Sequence, residues 1–559
     1  MAITVCGHKR IFGLALSGGG FRATLFHLGV LRRLHELGLH ENIDYISSVS
    51  GGSIVAALYC WKKPRNCNEF IDFERQILRG VRLGLRDWWL LIIGFIAIIP
   101  LLVLWDLHAC AQLRTFCCIS GLLWFGLILL VVYLPAIALV SWSCFDPMNW
   151  LFRCCLGIGR RVRLDATAPG AQFSPLLLMN ATCLNTGRRW VFSPCYVGQD
   201  EGWNNGDVDE ILQGRRPTLT LADPVKVPLT DAILASAAFP GFFAPRKLSL
   251  DKKLCTRAGW LRKVKLVDGG VYDNQGFRIF LRRPREGAPE SRINYLIASD
   301  AAQPFSERRC PAWEPVSLGN LSALGRSGSI QSEDSRDEAY DLLFSQQDLK
   351  SPQLSQFALF SIRGKPAQSK RNQTAPYALP QGFGDELAKM RTDFDYFSSL
   401  EIRALMYHGY TLANHRIFNY CYELLEPGFH GIKAIIKPLV KPLDWQDLRH
   451  HNGLPNASLP TLDSWAEFNE KLTRDHPCLL WTLWPCRRFL ALNNFGAPAS
   501  AIVDQARRYL SHSGSRFLLY RMMLRLWDWS WLGKVIVSAV VIGLGVVAWQ
   551  LLTRWCCAT

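Results

Sequence analysis

Three short stretches of this chain hold the residue types that ester cleavage requires. Ser50 stands in Ser48-Val49-Ser50-Gly51-Gly52, a run of three glycines stands in Leu16-Ser17-Gly18-Gly19-Gly20-Phe21-Arg22, and Asp268 stands in Val267-Asp268-Gly269-Gly270. A serine hydroxyl supplies a nucleophile and a carboxylate supplies its base. Glycine amides, with no Cβ in the way, can donate hydrogen bonds to an oxyanion. Taken singly, each has a plainer reading as a Ser/Gly turn, a bare glycine loop or an Asp-Gly-Gly turn. The chemistry rests on the three together.

The flanking patterns say how these residues are held. Residues 44–49 read as a strand and 51–58 as the start of a helix, so Ser50 falls on a sharp strand-to-helix turn. Small residues two before and two after the nucleophile relieve crowding on such a turn. The G-x-S-x-G pattern has glycine at both places, whereas here the first is Ser48. The glycine run follows an apolar strand at 11–16. It precedes an amphipathic helix at 24–37, where Leu25, Leu28, Leu31 and Leu34 recur at helical spacing. The positive end of that helix would stand behind the loop, with Arg22 pinning it. Phosphate binding is the rival use of such a loop, but no Lys-Ser/Thr follows the last glycine and Ala23 stands where a dinucleotide fingerprint needs its third glycine. Asp268 ends a short strand at 264–267, and Asp300 ends another at 294–300 as a cap rather than a second base.

Two further segments, Met179-Asn180-Ala181-Thr182-Cys183-Leu184-Asn185-Thr186-Gly187 and Ala235-Ser236-Ala237-Ala238-Phe239-Pro240-Gly241-Phe242-Phe243-Ala244-Pro245, stand with the three motifs in an order that resembles the patatin-like phospholipase family over about residues 11 to 300. The resemblance implies an α/β, three-layer fold around a mostly parallel sheet. It also implies a Ser-Asp dyad in place of a triad. Ser50 would attack the ester, Asp268 would take its proton and later activate water, and Gly18, Gly19, Gly20, Arg22 and Gly51 would serve the oxyanion and substrate. His27, near the loop, has no role in that scheme, and no metal or other cofactor is implied.

The chain has 559 residues, 49% of them hydrophobic, and the apolar excess is concentrated. Residues 88–105 and 117–142 are each long enough to cross a bilayer without an ionised side chain, as is 535–552 near the C-terminus. Tryptophans 88, 89, 105, 142, 531 and 549 lie near their ends. Arg79, Arg82 and Arg86 precede the first stretch and Arg153, Arg160, Arg161 and Arg163 follow the second, while Arg114 is the one arginine between them. On this count both flanks face the cytoplasm, and the catalytic residues with them. No cleavable signal peptide is expected, since residues 1–10 run straight into the first strand. The sequons at Asn180, Asn320, Asn372 and Asn456 would then stay unmodified.

A formal net charge of +17 suits an anionic membrane surface; no nucleic-acid-binding module accompanies it, so nucleic acid is not an expected partner. The 18 cysteines show no zinc spacing, and a cytoplasmic body keeps them reduced. The expected organisation is a first hydrolase part at 1–87, a transmembrane hairpin at 88–142, a second hydrolase part at 143–310, a mostly helical region at 311–530 and a last transmembrane helix at 531–559. The expected function is a membrane-bound serine lipid acyl hydrolase, of phospholipase A or lysophospholipase type, releasing fatty acid from glycerophospholipids in the bilayer. Neutral-glyceride hydrolysis or acyl transfer by the same dyad remains open. So does a non-catalytic lipid-binding scaffold, in which Ser48 and Ala23 mark a decayed site.

Overall fold

The computed structural model describes residues 3–5, 8–65, 67–84, 147–170, 175–199, 220–240, 243–256, 259–281, 293–302, 316–345, 354–364, 383–392, 394–397 and 399–425. Among these, no helix is long and apolar enough to cross a membrane. The three apolar stretches at 88–105, 117–142 and 535–552 lie outside the described residues.

Among the described residues, aside from a small hairpin of β1 (Ile3–Val5) and β2 (His8–Arg10), the strands form one nine-stranded sheet. Its members are β3 (Phe12–Leu16), β4 (Tyr45–Val49), β5 (Leu176–Cys183), β6 (Arg188–Ser193), β7 (Tyr196–Gln199), β8 (Arg246–Thr256), β9 (Gly259–Asp268), β10 (Tyr295–Asp300) and β11 (Gln356–Ser361). The order runs β11-β10-β3-β4-β5-β6-β7, with β9 also on β5 and β8 on β9. Strands β11 to β5 are parallel neighbours, but the β5–β6, β6–β7, β5–β9 and β8–β9 pairs are antiparallel. The sheet is therefore mixed rather than mostly parallel. The physical reason is connection length: β5–β6, β6–β7 and β8–β9 are joined by a few residues each, and only antiparallel partners can be joined so tightly.

One register places the site. β4 pairs with β5 up to Val49 opposite Asn180, and there it ends. From the next residue, β9 pairs with β5, Asp268 facing Ala181. β6 already occupies the other edge of β5 at residues 179–183, so β9 takes the edge that β4 vacates. The residue after Val49 and the last residue of β9 thus meet end to end along one strand.

Helix α1 (Gly20–Glu36) begins four residues earlier than the periodicity predicts, so its N-terminus lies at the glycine run itself. It is buried on nearly every side, because α8 (Ser399–Tyr420) covers the face away from the sheet. The two helices approach closely: a Cβ on Gly29 would lie 1.9 Å from the Met406 carbonyl oxygen. Helix α2 (Gly51–Lys62) follows β4 and is buried through its first ten residues. Between them in the chain come α3 (Cys67–Leu83), α4 (Pro147–Leu156), α5 (Leu229–Ser236), α6 (Val316–Phe344) and α7 (Phe383–Lys389). Beyond residue 310 the chain contributes a strand, β11, to the same sheet, and α8 to the packing of α1. The described residues 79–84, 147–160 and 394–397 belong to a second compact unit, in which Phe152 meets Phe394 edge to face with centroids 5.7 Å apart.

Candidate active site

Ser50 has φ 50° and ψ −118°, and among the described residues it and Lys63 are the non-glycine positions with positive φ. A β4–α2 connection with no intervening loop forces this strained backbone, at a cost of order 1–3 kcal/mol. The surroundings hold it there. The Ser50 N–H donates to Ser236 Oγ at 3.0 Å, and Ser236 Oγ donates to the Asn180 carbonyl at 2.6 Å. Ser53 Oγ lies 2.8 Å from Ser236 Oγ and 3.0 Å from Ser48 Oγ, so the serine standing in place of glycine in the elbow is absorbed into a buried hydroxyl chain. Gly51 admits no side chain, since a Cβ would lie 1.9 Å from the Gly20 carbonyl oxygen.

Asp268 is 3% exposed and Ser50 6%. The Asp268 carboxylate accepts a hydrogen bond from Gly270 N–H at 2.7 Å, and the Ser50 hydroxyl stands beside it. Its own N–H donates to the Ala238 carbonyl at 3.0 Å, and its carbonyl accepts from Thr182 Oγ1 at 2.9 Å. Burial pushes its carboxyl up to about 6, against the Gly270 hydrogen bond and the neighbouring Ser50 hydroxyl, which favour the anion. A base poised near neutrality beside a hydroxyl is what general-base activation of a serine requires.

Two helix N-termini converge on Ser50. Gly19, at φ 138°, caps α1, and Gly51 opens α2. The Thr24 hydroxyl of α1 ties them by donating to the Gly51 carbonyl at 2.8 Å. Neither first turn carries an acidic side chain, so the positive ends of both helices stay uncompensated. The amides expected to hold an oxyanion are not equivalent. Gly18 N–H already donates to the Asn274 carbonyl at 2.9 Å, whereas the Gly19, Gly20 and Gly51 N–H groups have no hydrogen-bond partner among the described residues. Arg22 is fully buried, donating to the carbonyls of Ala388 and Met390 and of Ala301, each at 2.7 Å. It anchors the start of α1 to residues far along the chain, and burial lowers its guanidinium to about 10.

His27 lies under the glycine run. Its Nε2 is 3.0 Å from the Ser17 carbonyl and its Nδ1 2.8 Å from Ser299 Oγ. A carbonyl only accepts, so Nε2 carries the proton and Nδ1 accepts from the Ser299 hydroxyl. Burial holds the ring near 3, hence neutral. Asp300 caps its strand end, accepting from Ala302 N–H at 2.8 Å and from the Tyr340 hydroxyl at 2.5 Å. Among the described residues no group of His, Cys, Asp and Glu could hold a metal ion.

Sequence reasoning gave no role at the site to Ser236, Ser53, Asn180 or Asn274. Ser236 and Asn180 lie in the two segments that carried the resemblance, but nothing local marks a buried serine among alanines as the clamp of another residue's amide. Asn274 follows Asp268 by six residues, and its carboxamide stands where a Cβ on either Gly18 or Gly270 would be. The loop carrying it is fixed by Asp273, which accepts from Gly276 N–H at 3.1 Å and pairs with Arg189 on β6 at 3.1 Å.

Residues 14–104 and 172–281 match the patatin-like phospholipase family. No curated protein matches the chain significantly. Similar solved structures include human GIVD cytosolic phospholipase A2, at 14% identity and a TM-score of 0.37, covering 75% of this chain and 63% of that one. The same human enzyme in complex with methyl gamma-linolenyl fluorophosphonate gives 14% and 0.36, covering 75% and 60%. VipD from Legionella pneumophila gives 13% and 0.25, covering 94% and 90%. The chain thus spans somewhat under two thirds of the human structures it resembles.

Proposed function

We propose that this chain, which carries a patatin-like phospholipase domain with a mixed α/β sheet, is a membrane-bound serine lipid acyl hydrolase that releases fatty acid from glycerophospholipids. The observation that carries the reading is the register along β5, which sets the strained Ser50 end to end with a buried carboxylate. In the proposed cycle Ser50 Oγ attacks the ester carbonyl and its proton passes to Asp268. The N–H groups of Gly19, Gly20 and Gly51 receive the oxyanion. Collapse of the tetrahedral intermediate expels the alcohol, which takes the proton back, and leaves an acyl-enzyme. Asp268 then removes a proton from water, whose attack on the acyl carbonyl frees the fatty acid and Ser50. Histidine has no part, since His27 is spent on Ser17 and Ser299.

A lipid rather than a soluble ester is the substrate because the stretches at 88–105, 117–142 and 535–552 have the length and apolarity of bilayer spans. With the arginine-rich flanks inside, the catalytic residues work on the cytoplasmic side. The test is fatty-acid release from mixed phospholipid vesicles by the reconstituted wild type, Ser50→Ala and Asp268→Ala, with products resolved by mass. Loss of release in both variants is expected; wild-type release from either would overturn the dyad.

A further inference from the structure

The hairpin of β8 and β9, whose last residue is Asp268, carries an outward face of unpaired positive charge. Along β9, Val264 and Leu266 point inward and are buried, while Lys263 and Lys265 are exposed. Lys265 faces Lys247 directly across the pair, and Lys263 faces Ser249; Lys247 and Ser249 are exposed too. Like charges placed opposite one another on adjacent strands repel. Elsewhere on these elements the fold supplies an acid. Arg246 pairs with Asp231 at 3.1 Å, and Lys226 with Asp251 on β8 at 3.1 Å. Lys247, Lys263 and Lys265 have no carboxylate partner among the described residues, so their mutual repulsion is left for something outside the fold to relieve.

The residues around the base end of the same strand are apolar and exposed. Leu184, 51% exposed, donates its N–H to the Lys265 carbonyl at 2.9 Å. Phe239 follows the alanine whose carbonyl receives the Asp268 N–H, and Val271 and Tyr272 follow the glycines after Asp268; all three side chains are exposed. Cationic side chains continuous with exposed apolar ones suit a surface with anionic headgroups above and acyl chains below. An acidic protein or nucleic acid would match the lysines but not the exposed apolar residues beside them.

We propose that the β8–β9 face is the docking surface for an anionic phospholipid bilayer. The idea deepens the hydrolase reading and can fail separately from it. The full chain would be reconstituted in vesicles of phosphatidylcholine alone, or of phosphatidylcholine with phosphatidylserine, and amide hydrogen exchange of residues 246–268 followed in the Ser50→Ala protein. Exchange should slow when phosphatidylserine is present, and the slowing should vanish at high salt and in the triple variant Lys247→Ala, Lys263→Ala, Lys265→Ala.

In the active enzyme, the ratio of turnover on the anionic to the neutral vesicles should fall about tenfold or more in that triple variant, from about fivefold per lysine at a charged surface. Equal exchange in both vesicle types, or an unchanged turnover ratio, would overturn the proposal. Wild-type cleavage of a water-soluble short-chain ester tests the hydrolase separately. Protection by phosphatidylserine without any ester cleavage would leave the surface standing and remove the enzyme.

Discussion

Replacing Asp268 with asparagine should abolish turnover and, at neutral pH, make the folded protein more stable. The carboxyl rises from 3.8 to about 6 because it is buried, so folding favours its protonated form. The stability attached to that form is fully present below about pH 4 and is lost as pH rises through 6. At about 1.4 kcal/mol per unit, a rise of about two units means the ionised group destabilises the fold by about 3 kcal/mol at pH 8. Asparagine carries no charge at any pH, yet its amide oxygen can still accept from Gly270 N–H. Asp268→Asn should therefore melt several degrees above wild type at pH 8, since 1 kcal/mol moves a domain of this size by about 2–4 °C. The gap should close as pH falls from 7 to 4.5. Thermal unfolding of both proteins in detergent across that range is the assay. A variant that melts with or below wild type at pH 8, or a gap that does not change with pH, would refute the claim that burial sets this carboxyl.

The same shift should give wild-type kcat/KM an acid limb near pH 6, falling as Asp268 protonates, which a pH–rate profile on a soluble ester would read. His27→Gln should keep that limb in place even if it lowers the melting temperature, because the imidazole is neutral throughout and bonded to Ser17 and Ser299; a displaced limb would return His27 to the chemistry. Ser236→Ala strands the Ser50 N–H and the Asn180 carbonyl, each worth about 1–3 kcal/mol when buried and unsatisfied. Its labelling by a fluorophosphonate should slow by about tenfold or more, measured against a melting curve that shows the protein folded. Gly29→Ala drives a methyl into the Met406 carbonyl between α1 and α8 and should cost about 1–3 kcal/mol by overpacking, read as a lower melting temperature.

The strands at 11–16, 44–49 and 294–300, the helix after Ser50 and the turn at Asp268 were all legible, because each is written in contiguous residues: apolar runs, small residues at a turn, helical spacing. The α1 start was misplaced by four residues for a related reason. Periodicity begins at Leu25, but the helix is nucleated earlier, where Gly19 and Gly20 accept backbone conformations that no side-chain pattern reports. β8 and β11 were missed outright, one being a charged strand on an exposed hairpin and the other lying far beyond the motifs.

By itself the sequence determined which residue types stand on which local turns: a serine after a strand, glycines before a helix, an aspartate at a strand end, and long apolar stretches. Tertiary structure alone decided that Ser50 and Asp268 share one edge of β5, that Gly18 spends its amide on Asn274 while Gly19, Gly20 and Gly51 do not, and that Arg22 reaches across to Ala388 and Met390. These are hydrogen bonds between residues far apart in the chain. Register and burial set them, and both come into being only when the separate segments pack together.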